Sequence, residues 1–155
     1  MTDSPSVGDI APEFKAESTA GIIELADTRG HKIVLFFYSK DNTPGCTTEA
    51  QAFQAQQQAF QRADCYLAGV SRDSIKSHTN FTEKLGLKYP LISDSDETLC
   101  QQYNVIRDKK MYGKTVRGIE RSTFLIDSDG KIAKVWRRVK VPGHVEEVLE
   151  AVKAL

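Results

Sequence analysis

Along this chain, stretches of unbroken apolar character alternate with stretches in which apolar residues recur at helical spacing. The run KIVLFFYS (32–39) is β-branched and aromatic, and CYLAGVS (65–71) is nearly as continuous. A strand that is apolar on both sides of its pleat belongs in a sheet covered on both faces, so these two runs predict buried strands. Between them, AQAFQAQQQAFQ (50–61) is rich in glutamine, yet Ala50, Phe53 and Phe60 keep helical offsets. A half-buried helix is predicted there in place of a low-complexity linker. SIKSHTNFTEKLG (74–86) predicts a helix closed by Gly86. TFLID and KIAKVWRRVK, divided by the turn residues Ser128, Asp129 and Gly130, predict a hairpin. The tail GHVEEVLEAVKAL (143–155) sets Val145, Val148, Leu149 and Val152 on one helical face behind Pro142 and Gly143. Strand, helix, strand, helix, hairpin and helix make an α/β layout. Its first strand-to-helix turn lies at the carboxyl end of a core strand, the edge where open α/β sheets favour ligands.

Size and charge narrow the classes. The chain has 155 residues, the length of one domain spanning 1–155, with no internal repeat. Lys plus Arg and Asp plus Glu are both 21, a balance that removes the long-range attraction used by most nucleic-acid and anionic-membrane binders. No apolar run approaches the roughly 20 residues that span a bilayer. The polar start MTDSPSVGD lacks the regions of a signal peptide, and the three cysteines form no disulfide framework, so a reducing cytoplasm is expected. His31, His78 and His144 are scattered without ligand spacing, and no metal site is expected. The basic run KVWRRVK (134–140) reads as a solvated strand with an inward apolar side, and RDKKMYGKTVR (107–117) as a mobile loop. No exposed apolar strip stands out, so a monomer is expected.

The chemistry concentrates in DNTPGCTTEAQ (41–51). With Pro44 at the first helical position, Thr43 becomes the N-cap and Cys46 the third helical residue. The threonine hydroxyl is then expected to accept a hydrogen bond from the Cys46 amide. The sulfur sits among unpaired N–H groups at the positive end of the helix dipole. Such surroundings lower a thiol pKa from about 8.5 into roughly 3.5–7.5 and favour the nucleophilic thiolate. Cys65, in an apolar strand, and Cys100, on a helical face with Leu99 and Tyr103, are expected to be small core residues.

YSKDNTPGCTTEA, together with VGDIAPEF, YPLISDSDETLCQQYNV and MYGKTVRGIERSTFLID, resembles the peroxiredoxins, most closely the peroxiredoxin Q or bacterioferritin comigratory protein group. The resemblance runs nearly end to end. It implies a thioredoxin-like α/β fold, a central mixed β-sheet flanked by helices with an N-terminal β-hairpin extension. It also implies thiol-dependent reduction of hydrogen peroxide and organic hydroperoxides, with no cofactor. Carried over, Cys46 is the peroxidatic cysteine, Thr43 bonds the sulfur or peroxide oxygen, and Arg121 holds thiolate and substrate. Pro44 and Gly45 belong to the substrate pocket, the amides of Gly45 and Cys46 complete it, and Glu49 orients the arginine.

The chain departs from the family's pattern in two respects. Ser39 stands where a proline is usual, seven residues before the cysteine, and is expected to loosen the pocket while supplying none of its donors. Gln51 and Thr82 stand where relatives keep a resolving cysteine. The prediction is a one-cysteine cycle, with the sulfenic acid cleared by an external thiol such as thioredoxin, glutaredoxin or glutathione. The alternatives are a two-cysteine cycle through Cys65 or Cys100, a peroxide sensor that relays oxidation to a partner, and a binding module with an unreactive Cys46.

Overall fold

A computed structural model describes residues 5–155; the beginning of the polar start read above, residues 1–4, lies outside the described residues. In chain order the elements begin with β1 (Lys15–Ser18), β2 (Gly21–Glu24), a 3-10 turn (Leu25–Thr28) and β3 (Lys32–Phe37). Next come α1 (Pro44–Ala55), α2 (Gln57–Arg62), β4 (Cys65–Ser71), α3 (Ile75–Leu85), β5 (Leu91–Ser93) and α4 (Thr98–Gln102). The chain closes with β6 (Ile106–Met111), β7 (Lys114–Ile119), β8 (Ser122–Ile126), β9 (Ile132–Arg137) and α5 (His144–Lys153). Seven strands form one mixed sheet in the order β2-β1-β5-β4-β3-β8-β9, while β6 and β7 pair separately. This is the thioredoxin-like arrangement, with β1 and β2 as its N-terminal hairpin.

The pleat explains the two apolar runs. Val34 and Phe36 point into one core with Phe53, Phe60, Phe81 and Val148. Ile33, Leu35 and Phe37, alternating with them, point into a second core with Leu99, Cys100 and Tyr103. Helices α1, α2, α3 and α5 cover the first face, and α4 and the 3-10 turn cover the second. Among the described residues no helix is long and apolar enough to cross a membrane.

Two expectations need correction. The helix read over 50–61 is two helices, broken at Gln56, whose φ of −106° and ψ of 7° leave the helical region. Seven residues of continuous helix would separate Phe53 from Phe60 by a rise of about 10.5 Å. The break brings their ring centroids to 5.9 Å, and both rings are fully buried. The segment over 107–117 is no loop but the β6–β7 hairpin, with Met111 opposite Lys114. Its two turn residues, Tyr112 and Gly113, have φ of +53° and +78°. That backbone usually takes Asn-Gly, and a tyrosine in the first place hid the turn.

Candidate active site

The end of β3 and the start of β8 build the site. These strands are antiparallel, and Phe37 lies opposite Ser122. The residue before β8 therefore arrives beside the turn that follows β3. Arg121 is that residue. Its Nη2 donates to Cys46 Sγ at 3.2 Å, and its Nη1 donates to Glu49 Oε1 at 2.7 Å. The Val139 amide donates to the Arg121 carbonyl at 3.0 Å and holds the backbone in place. Glu49 falls three residues after Cys46 on α1, one turn along the same face, so one guanidinium reaches both.

Cys46 occupies the first turn of α1 and is only 2% exposed. Burial opposes ionisation, but the Lys40 main chain, the Ser39 and Thr43 hydroxyls and the Arg121 charge outweigh it, and the thiol pKa is lowered from its ordinary value. Arg121 is also partly buried; Glu49 and Cys46 nevertheless raise its pKa, so it stays charged. Glu49 is the costly member. Burial pushes its carboxyl up to about 7 against the pull of Arg121, and its Oε2 has no hydrogen-bond partner.

Thr43 is the N-cap residue but makes no side-chain cap bond, contrary to expectation. Its hydroxyl turns back and donates to the Lys40 carbonyl at 2.9 Å, tightening the 40–43 turn, while its own carbonyl accepts from the Thr47 amide. Asn42, at φ +67°, supplies the left-handed residue that swings the chain into the helix. Pro44 and Gly45 are exposed at the helix start and, with Ala52, Val141 and Pro142, line a shallow apolar groove. A Cβ on Gly45 would lie 3.3 Å from Arg121 Nη2, so any larger residue there would press on the guanidinium by a few tenths of an ångström. A glycine inside the first turn of a helix, where propensity disfavours it, is a sequence signal of such close approach.

Ser39 overturns its expectation. Its hydroxyl lies 3.4 Å from Cys46 Sγ and is therefore one of the polar groups at the sulfur. It also lines a charged cleft with Arg107, Arg121 and Arg138. Behind the turn runs a buried network that the scattered histidines did not suggest. Asp41 Oδ2 meets His78 Nδ1 at 2.8 Å and accepts from the Ser77 hydroxyl, while Asp41 Oδ1 accepts from the Tyr38 hydroxyl. His78 Nε2 lies 3.0 Å from the Ile92 carbonyl oxygen. Asp73 stands beside them, and among the described residues Asp41, Asp73 and His78 make up the one group with metal-ligand spacing. Asp73 Oδ2 is taken up by the Asp41 amide and the Ser71 hydroxyl, so hydrogen bonds already engage all three residues.

Cys65 and Cys100 are buried and free. Burial pushes the Cys65 thiol up to about 12 and the Cys100 thiol higher still. Neither is prepared for nucleophilic attack.

Comparison with known proteins bears on this arrangement. A family model described as the AhpC/TSA family matches residues 7–135. The chain is 54% identical over 125 residues to Peroxiredoxin Bcp of Xanthomonas campestris, covering 81% of this chain and 78% of that protein. It is 44% identical over 148 residues to Peroxiredoxin Bcp of Bacillus subtilis, covering 95% and 94% of the two chains. A solved structure of the Xanthomonas campestris bacterioferritin comigratory protein, described for its alkyl peroxide reduction activity, superposes with a TM-score of 0.89 at 45% identity. That match covers 98% of both chains.

Proposed function

The chain belongs to the AhpC/TSA family, as a peroxiredoxin of the Bcp or peroxiredoxin Q group, and on that premise we propose that Cys46 is its peroxidatic nucleophile in a one-cysteine cycle. Peroxiredoxins are thiol-dependent peroxidases. The observation that carries the assignment is the 3.2 Å contact of Arg121 Nη2 with a sulfur in the first turn of a helix. The Cys46 thiolate attacks the terminal oxygen of a hydroperoxide, an S–O bond forms and the O–O bond breaks. Negative charge moves onto the departing oxygen, which leaves as water or an alcohol after taking a proton. Arg121 and the unpaired amides of the first helical turn, those of Gly45 and Cys46 included, meet that charge already oriented. Glu49 holds Arg121 on station, and Thr43 closes the turn beneath the sulfur. The apolar groove beside Pro44 and Gly45 suits the organic part of an alkyl hydroperoxide.

The product on Cys46 is a sulfenic acid. A reductant thiol condenses with it, forming a mixed disulfide and water, and a second thiol releases Cys46 as the reduced thiol. Placement of the other cysteines supports an external reductant. Cys65 pairs with Lys32 at the start of β3, whereas Cys46 lies past its end. Five strand residues span about 16 Å, against a disulfide Cα separation of roughly 4.4–6.8 Å. Cys100 lies in the core on the other face of the sheet from Cys46. Thioredoxin, glutaredoxin or glutathione fits the role, in a reducing cytoplasm, with the enzyme working as a monomer.

Intact-mass measurement after one equivalent of peroxide tests the cycle. A trappable sulfenic acid is expected, and loss of two hydrogens would overturn it. Turnover with each reductant is expected to vanish in Cys46→Ser and persist in Cys65→Ser and Cys100→Ser. Arg121→Ala is expected to slow peroxide reduction about 100- to 1,000-fold, the usual cost of one preorganised donor.

A further inference from the structure

Ser39 takes the place of a residue that has no side-chain donor in the pattern the chain resembles. We propose that the Ser39 hydroxyl donates a hydrogen bond to the Cys46 thiolate and acts beside Arg121 as a second side-chain donor holding the reacting sulfur. In the thiol state either partner of the 3.4 Å contact could donate. The thiolate has no proton, so once the sulfur ionises only the hydroxyl can. Of the two hydroxyls in the turn, both of which favour the thiolate, that of Thr43 also donates to the Lys40 carbonyl at 2.9 Å, while that of Ser39 lies 3.4 Å from the sulfur.

Its neighbours hold it there. Tyr38 is pinned through its amide to the Val70 carbonyl at 3.0 Å and through its hydroxyl to Asp41 Oδ1 at 2.7 Å. Asp41 is pinned through its amide to Asp73 Oδ2 at 2.9 Å. Ser39 is thus strung between fixed residues, and little reorganisation accompanies its donation. Ser39 also lines one cleft with Arg121, the other side-chain donor to the sulfur. The lowered pKa of Cys46, to which the Lys40 main chain, Ser39, Thr43 and Arg121 contribute, is in line with donation to the thiolate. Hydrogen bonding to the charged form favours that form. It also makes the thiolate slightly less nucleophilic. The serine therefore trades a little intrinsic reactivity for a larger reactive fraction in a buried position.

The inference rests on Cys46 as the nucleophile, but its test does not use peroxide. The thiolate of Cys46 is titrated by its ultraviolet absorbance in the full chain, in Ser39→Ala and in Ser39→Thr. Cys46→Ser assigns the transition. Loss of one charge-assisted hydrogen bond is expected to raise the midpoint in Ser39→Ala by about one pH unit. Below that midpoint the alkylation rate falls up to about tenfold. Ser39→Thr, which keeps the hydroxyl, is expected to titrate as the wild type does. An unmoved or lowered midpoint in Ser39→Ala overturns the inference, as does a threonine variant that shifts as far as the alanine one. Because the titration reads the hydrogen bond whether or not peroxide is the substrate, a slow peroxide reaction overturns the proposed function alone.

Discussion

Glu49 carries the site's largest local conflict. The residue is fully buried, one oxygen is bound to Arg121, and the other has no partner. Burial raises its carboxyl from 4.5 to about 7. A folded pKa above the unfolded one means that the folded state favours the protonated form. The stabilising contribution is complete below about 4.5 and is lost as pH rises through about 7. A shift of that size is worth about 3 kcal/mol. Wild type is therefore expected to lose stability relative to Glu49→Gln by up to about 3 kcal/mol across that window, read by urea unfolding at both ends. Parallel pH dependences in the two proteins would count against a titrating buried carboxyl. The same residue shows what was legible at this scale. The family resemblance alone named its partner, Arg121. Its missing second hydrogen bond depends on neighbours far along the chain.

Among the elements, α3 was readable at both ends and the 38–43 turn was not. Ser74 caps α3 by accepting from the Ser77 amide, and Gly86 closes it in the left-handed conformation at φ +65°. Both are local signals, strong for local reasons. The bond between the two elements is not local. Asp41 of the turn and His78 of α3 lie 37 positions apart, with side chains 1% and 0% exposed. Although burial opposes it, His78 and Tyr38 hold the Asp41 carboxyl below its ordinary range, so this tie is present at neutral pH and is lost as pH falls through the lowered pKa. Asp41→Asn weakens the buried acceptor shared by the Tyr38 and Ser77 hydroxyls and the His78 ring. It is expected to cost about 1–3 kcal/mol, lowering the thermal midpoint by about 5 °C. Calorimetry checks this, and a shift under one or two degrees would show that the turn is held without the pair.

Across the whole molecule, the sheet depends on one close approach. A Cβ at Gly69, in the middle of β4, would come within 2.8 Å of Leu91 Cδ2 and 2.9 Å of Phe36 Cζ. Gly69→Ala must push β5 or the Phe36 ring aside and is expected to destabilise the fold by about 1–3 kcal/mol. Equilibrium denaturation measures it, and an alanine variant as stable as wild type would show that the core has slack there. The chain by itself determined the core strands β3, β4, β8 and β9, the helices α3 and α5 and the start of α1 at Pro44, because apolar spacing, caps and a proline at a helix start act over a few residues. Tertiary structure alone decided that Ser39 faces the sulfur, that Asp41 meets His78, that the glutamine-rich helix breaks and that residues 106–119 pair as a hairpin. Those outcomes depend on strand register and on the space left between packed faces, which no local pattern encodes.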